Sequence, residues 1–237
     1  MHADHLPDTA LGFVCNSCLS GSGPCGKEVH CAGYPAGQAA WDFAARDLQD
    51  DPFNYDNDTA FIVANKTFYR GSGNVGAWFS CACGGSSDGC SGTSGYMQWL
   101  TADDDNGNLN DGTPHMTALF AAFRRHGIAC NNPTPQNSGC DGGPTQPPVV
   151  TAADGGNQSV DLSWNDVPNA SRYAIFRTEG VAGCDFGKTR IANTSGTSYT
   201  DKKLQPGRTY YYNIVGVGSS SACLTPASEC VNATPTP

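Results

Sequence analysis

Twelve cysteines constrain this chain of 237 residues more tightly than any other feature of its sequence. They are Cys15, Cys18, Cys25, Cys31, Cys81, Cys83, Cys90, Cys130, Cys140, Cys184, Cys223 and Cys230. Cys15 with Cys18, and Cys81 with Cys83 and Cys90, have the close spacing of zinc ligands. A structural zinc site, however, takes two well-spaced ligand pairs, and no histidine falls at finger spacing. Disulfides are the leading reading, with zinc thiolate as the alternative, and they imply an oxidising compartment and a secreted protein. Nine of the twelve precede residue 148, and Cys184, Cys223 and Cys230 follow it. Both counts are odd, so complete pairing within one chain requires a bridge between the two parts. Cys223 and Cys230 are near enough in sequence for a local loop, which leaves Cys184 to reach back to Cys140.

The apolar period changes along the chain. Before residue 130 it is helical: Ala36, Ala39, Ala40, Phe43, Ala44 and Leu48 form one stripe, predicting a helix over 34–48. Further helices are expected over 59–70 and 96–102. A fourth begins at Thr113 as N-cap with Pro114 in its first turn, and Arg124, Arg125 and His126 complement its dipole before Gly127 ends it. Residues 131–147, rich in Pro, Asn and Gly, read as a linker. From residue 148 the period is two, with Val160, Leu162 and Trp164 alternating, then Tyr173 and Ile175, and later Tyr210, Tyr212 and Ile214. The expected fold is multi-domain: a mainly α, loop-rich, disulfide-stapled domain over 1–130, and an all-β sandwich over 148–237.

The formal net charge is -9. An acidic surface without a Lys/Arg cluster repels phosphate backbones, which argues against nucleic acid as a partner. No run of about 18 apolar residues is present, so no membrane span is expected.

Residues 159–164 (Ser-Val-Asp-Leu-Ser-Trp), 170–177, 197–201 and 204–212 (Leu-Gln-Pro-Gly-Arg-Thr-Tyr-Tyr-Tyr) together resemble a fibronectin type III module. The resemblance implies an immunoglobulin-like sandwich in which Trp164 fills the core between the sheets and Tyr210 makes the corner hydrogen bond. The N-terminal part is similar to the C-terminal helical lobe of thermolysin-like zinc metallopeptidases, the fungalysin branch included. Val29-His30-Cys31-Ala32-Gly33 resembles that family's V-H-x-x-G helix start. Lys66-Thr67-Phe68-Tyr69-Arg70 resembles the end of its next helix, and 111–128 its closing helix. That resemblance implies a catalytic role for His30 as hydrogen-bond donor to the tetrahedral oxyanion. The family orients this histidine with an aspartate; Cys25 stands in its place here, and the nearest acid is Glu28. A surface histidine in a Cys-stapled loop is the other reading of His30. The family's zinc motif, H-E-x-x-H, is missing: the histidines are His2, His5, His30, His115 and His126, and none precedes a Glu. Zinc is therefore not expected from this chain alone, and the zinc-binding lobe of the same protein is expected upstream, as its partner.

Residues 103–111 form an acidic loop in which Asp103, Asp104, Asp105, Asn106, Asn108 and Asp111 offer the hard oxygens a structural Ca²⁺ ion takes. The EF-hand pattern is incomplete, and a solvated cluster of Asx turns capping the next helix is the alternative. Three functions follow. The first is the C-terminal part of a secreted thermolysin-like metallopeptidase, without peptidase activity alone. The second is an autonomous, promiscuous metal-dependent hydrolase acting on small esters or phosphoesters through the 103–111 loop. The third is a non-catalytic adhesion or carbohydrate-binding protein.

Overall fold

The structure, a computed structural model, describes residues 29–75, 90–178, 182–184 and 188–237, with only the backbone of 29–32. The chain divides into two compact units, one of Met1–Asn54 with Val63–Gly139 and one of Tyr55–Ile62 with Cys140–Pro237.

In the first unit, helix α1 (Val29–Asp42) runs into a π-helical turn at Phe43–Asp47. It begins earlier than the apolar stripe predicts and carries Pro35 in its interior, where a proline removes one helical hydrogen bond. Helix α2 (Asn57–Gly73) starts under Asp56, whose carboxylate accepts the Thr59 N–H at 2.7 Å, a side-chain cap that extends the expected 59–70 segment. Helix α3 spans Gly95–Asp103, a 3₁₀ turn covers Leu109–Asp111, and α4 spans Met116–Arg125.

The core of this unit is aromatic. Trp99 is buried edge-on against Phe68 at 5.6 Å and Phe123 at 5.1 Å, and Tyr96 lies 5.3 Å from Phe123. Gly71 makes this possible: a Cβ there would sit 2.6 Å from Trp99 Cδ1 and 2.9 Å from its Cα, so α2 and α3 approach as closely as they do only because that position is bare. Cys90 and Cys130 are bridged, closing α3 and α4 into one loop.

The second unit is built on seven strands: β1 (Val150–Gly156), β2 (Ser159–Trp164), β3 (Arg172–Thr178), β4 (Lys188–Thr194), β5 (Ser198–Asp201), β6 (Tyr210–Val217) and β7 (Val231–Ala233). They form two antiparallel sheets, β1-β2-β5 and β4-β3-β6-β7. Val160, Leu162 and Trp164 from the first sheet share one buried core with Tyr173, Ile175, Tyr212 and Ile214 from the second. The period-two pattern therefore marks the inner faces of a fibronectin type III-like sandwich. Trp164 packs on Tyr173 at 5.5 Å, and the Tyr210 hydroxyl accepts the Gln205 N–H at 3.0 Å, the corner bond expected of it.

The disulfides correct one expectation. Cys140 does reach the sandwich, but its partner is Cys223, and Cys184 pairs with Cys230. Between Cys223 and Cys230 the chain lies along β6, with Thr225 N–H on the Gly216 carbonyl and Ser228 N–H on the Ile214 carbonyl. Laid out in this way, the seven steps from Cys223 to Cys230 span roughly 20 Å, far beyond the reach of a disulfide.

Candidate functional site

The acidic loop follows directly from α3, whose last residue, Asp103, does not face the solvent with its neighbours. It is 1% exposed. Its Oδ2 accepts the Thr113 hydroxyl at 2.5 Å and the His115 N–H at 2.7 Å, and its Oδ1 lies 2.7 Å from His115 Nδ1. A carboxylate only accepts, so the ring presents its Nδ1–H. Burial raises the Asp103 carboxyl, but the charge of His115 and these hydrogen bonds outweigh it and hold the group below its ordinary range. This displaces Thr113 from its expected role: the N-cap of α4 is His115, and Pro114 lies before the helix. Asp103 and His115 are a buried tie between α3 and α4, with both carboxylate oxygens of Asp103 engaged.

The rest of the loop is less enclosed than Asp103, with Asn106, Gly107, Asn108 and Asn110 exposed. Asp104 Oδ2 accepts the Gly107 N–H at 2.6 Å, and Asp111 Oδ2 accepts the Asn106 and Asn108 amides at 3.1 and 2.9 Å. The second oxygens of Asp104, Asp105 and Asp111, all Oδ1, are sealed from solvent and make no hydrogen bond; Ser138 Oγ is in the same condition. Gly139, at φ 82°, lies so close to Asp105 that a Cβ would collide with its carboxylate. Among the described residues no three His, Cys, Asp or Glu side chains converge as a metal-ligand set. Carboxamide and main-chain oxygens, which also ligate calcium, are the remaining donors here: Asn106 and Asn108 lie in the same turn.

A second polar centre gave no local signal in the sequence. Arg125 donates from Nη1 to Asp42 Oδ2 at 2.5 Å, and from Nη1 and Nη2 to the two oxygens of Asp47 at 3.0 and 2.7 Å. His126, fully buried, places Nε2 3.1 Å from the same Asp42 oxygen. The π-helical turn explains the pairing: with Leu48 N–H bonded to the Phe43 carbonyl, residues five apart share a face, and Asp42 and Asp47 both reach one guanidinium. Burial raises both carboxyls. At Asp42 the bonds from His126 and Arg125 reverse that and leave it low, whereas at Asp47 burial prevails and leaves it high.

Of the residues the sequence marks as catalytic, Glu28 and the side chain of His30 lie outside the described residues; the backbone of His30 is in α1. The two histidines whose side chains are described are both engaged, His115 on Asp103 and His126 on Asp42. No described helix is long and apolar enough to cross a membrane, and the three disulfides among the described residues are consistent with an extracellular setting.

No family model matches the chain. It is 39% identical over 93 residues to a Kelch domain-containing protein of Saccharolobus solfataricus and 36% identical over 76 residues to a poly(3-hydroxybutyrate) depolymerase of Ralstonia pickettii. Those segments are 36% and 32% of this chain but 12% and 14% of the relatives, so the chain spans a small part of either. Among solved structures, an Fn3-like protein from Clostridium thermocellum is 26% identical, with 38% of this chain and 92% of that one covered at a TM-score of 0.32. The FN5 domain of Drosophila Lar is 18% identical, with 40% and 98% covered at 0.33. The sandwich assignment rests on the chain's own strand order, core and tyrosine corner. None of the four proteins named is a metallopeptidase by name.

Proposed function

We propose that this chain is the C-terminal part of a secreted thermolysin-like hydrolase, a calcium-stabilised accessory region without zinc-peptidase activity of its own. The observation that carries the reading is the loop after α3: Asp104, Asp105 and Asp111 each keep one carboxylate oxygen away from water and without a partner. An unpaired buried carboxylate oxygen is costly, and a hard cation held with carboxamide and main-chain oxygens relieves it. Bound there, Ca²⁺ would pin the loop against α4. The zinc-binding lobe, carrying H-E-x-x-H, would be the partner that completes the peptidase, and His30 would lend it a hydrogen bond to the oxyanion. Support for a hydrolase context comes also from the poly(3-hydroxybutyrate) depolymerase, in which a segment similar to part of this chain occurs.

The test uses the purified full chain with casein, with and without added zinc. No cleavage is expected in either, and zinc-dependent cleavage abolished by a chelator would overturn the reading. A second reading, an autonomous metal-dependent hydrolase of small esters or phosphoesters, draws on the same unpaired oxygens, because a carboxylate-held metal polarises an ester carbonyl. Turnover of a nitrophenyl ester that requires added metal and is lost in Asp111→Asn would favour it over the first.

A further inference from the structure

Asp58, in the first turn of α2 and within the second unit, joins two strands through one carboxylate. Lys188, the first residue of β4, places Nζ 3.1 Å from Asp58 Oδ1, and its side chain is 2% exposed. Asn213, in β6 and 1% exposed, donates from Nδ2 to Asp58 Oδ2 at 2.8 Å and to the Ser228 carbonyl at 2.7 Å. The Asn213 carboxamide oxygen is sealed from solvent and accepts no hydrogen bond. Strand β3 separates the two: Lys188 stands opposite Thr178, and Asn213 opposite Phe176. A single carboxylate thus holds an amine on one oxygen and a carboxamide on the other, in a place that largely excludes water.

That arrangement contains every component of amide exchange. A carboxylate in contact with the ammonium can take its proton and leave a nucleophilic amine. The same carboxylate touches the nitrogen that must leave. The Asn213 carbonyl has no hydrogen bond stabilising its ground state.

We propose that Lys188 and Asn213 are joined by an intramolecular isopeptide bond, with Asp58 moving the protons. Asp58 takes a proton from Lys188 Nζ, and the freed lone pair attacks Asn213 Cγ, placing the negative charge on Oδ1. Collapse of this intermediate breaks the Cγ–Nδ2 bond. The two protons that Nζ gives up end on Nδ2, which departs as ammonium, and the product is a secondary amide linking β4 to β6 across β3. Nothing is oxidised or reduced, and no co-reactant is consumed.

Intact-mass measurement of the reduced full chain tests this directly. The expected mass is one ammonia below that of the sequence, and proteolysis should yield a branched peptide containing Lys188 and Asn213. Lys188→Arg and Asp58→Ala should each restore the sequence mass. An unshifted wild-type mass with Lys188 and Asn213 in separate peptides overturns the proposal. So does an ammonia loss that maps to a succinimide at Asn106-Gly107, or a water loss that joins Lys188 to Asp58. The wild-type mass decides the matter even where a variant does not fold.

Discussion

Replacing Asp103 by alanine should destabilise the helical unit more than any substitution in the exposed part of the acidic loop. Asp103 is 1% exposed and accepts from the Thr113 hydroxyl, the His115 N–H and the His115 ring. Its removal takes the acceptor from the buried His115 N–H and the carboxylate from the buried His115 ring, while the Thr113 hydroxyl can rotate to seek another. A buried donor left unsatisfied costs about 1–3 kcal/mol, and breaking a buried pair by deleting one member costs about 3–5 kcal/mol. The larger figure includes the first, so about 3–5 kcal/mol is the expected loss. For a unit of this size that lowers the melting midpoint by about 10 °C or more. Far-ultraviolet circular dichroism, which follows the helices, is the assay. The sign of the pH dependence follows from the lowered carboxyl: a depressed folded value stabilises above the unfolded value of about 3.9 and is lost as pH falls through the folded one. The advantage of wild type over Asp103→Ala should therefore be constant near neutrality and shrink below about pH 4. A midpoint within about 2 °C of wild type at neutral pH would show that the tie between α3 and α4 carries no net stability.

Arg125→Met should cost about 3–5 kcal/mol, because it strands the Asp47 carboxylate and leaves Asp42 to His126, and a chemical-denaturation series measures the loss. Adding Ca²⁺ after exhaustive chelation should raise the melting midpoint of wild type and leave that of Asp111→Asn nearly unmoved; equal shifts in both would place the ion elsewhere. Converting Cys140 and Cys223 together to serine opens a loop of 83 residues, worth up to about 4–5 kcal/mol by loop-closure entropy. Thermal unfolding of that variant beside the wild type gives the number.

What the sequence made legible was local. Alternation placed Val160, Leu162 and Trp164 on the inner face of β2, and the Pro206-Gly207 turn marked Tyr210 as the corner tyrosine, because both signals need only a few neighbouring residues. The Thr113 cap was misread for the opposite reason. Thr-Pro ahead of an apolar stripe is a sound helix start, but Asp103, ten residues upstream, takes the Thr113 hydroxyl, and α4 begins three residues later. The apolar stripe begins at Ala36 and places the expected start at 34, whereas α1 begins at Val29 and passes through Pro35.

The candidate site divides along the same line. A run of Asp and Asn announces an acidic loop, yet it cannot say which carboxylates are already spent. Asp103 takes three hydrogen bonds from Thr113 and His115, whereas Asp104, Asp105 and Asp111 each keep a buried oxygen that takes none; only the fold separates the two kinds. Arg125 was legible as a cation suited to the end of a helix. Its actual partners, Asp42 and Asp47, lie 83 and 78 residues away and come together only because a π-helical turn brings positions five apart onto one face. Lys188 and Asn213 carried no signal at all, since the carboxylate that joins them belongs to a helix 130 and 155 residues upstream. In this chain the groups with the most chemical potential are those whose neighbours are furthest away in sequence. Burial explains why: a charged or amide side chain is held out of water only where several elements close over it, and those elements come from different parts of the chain.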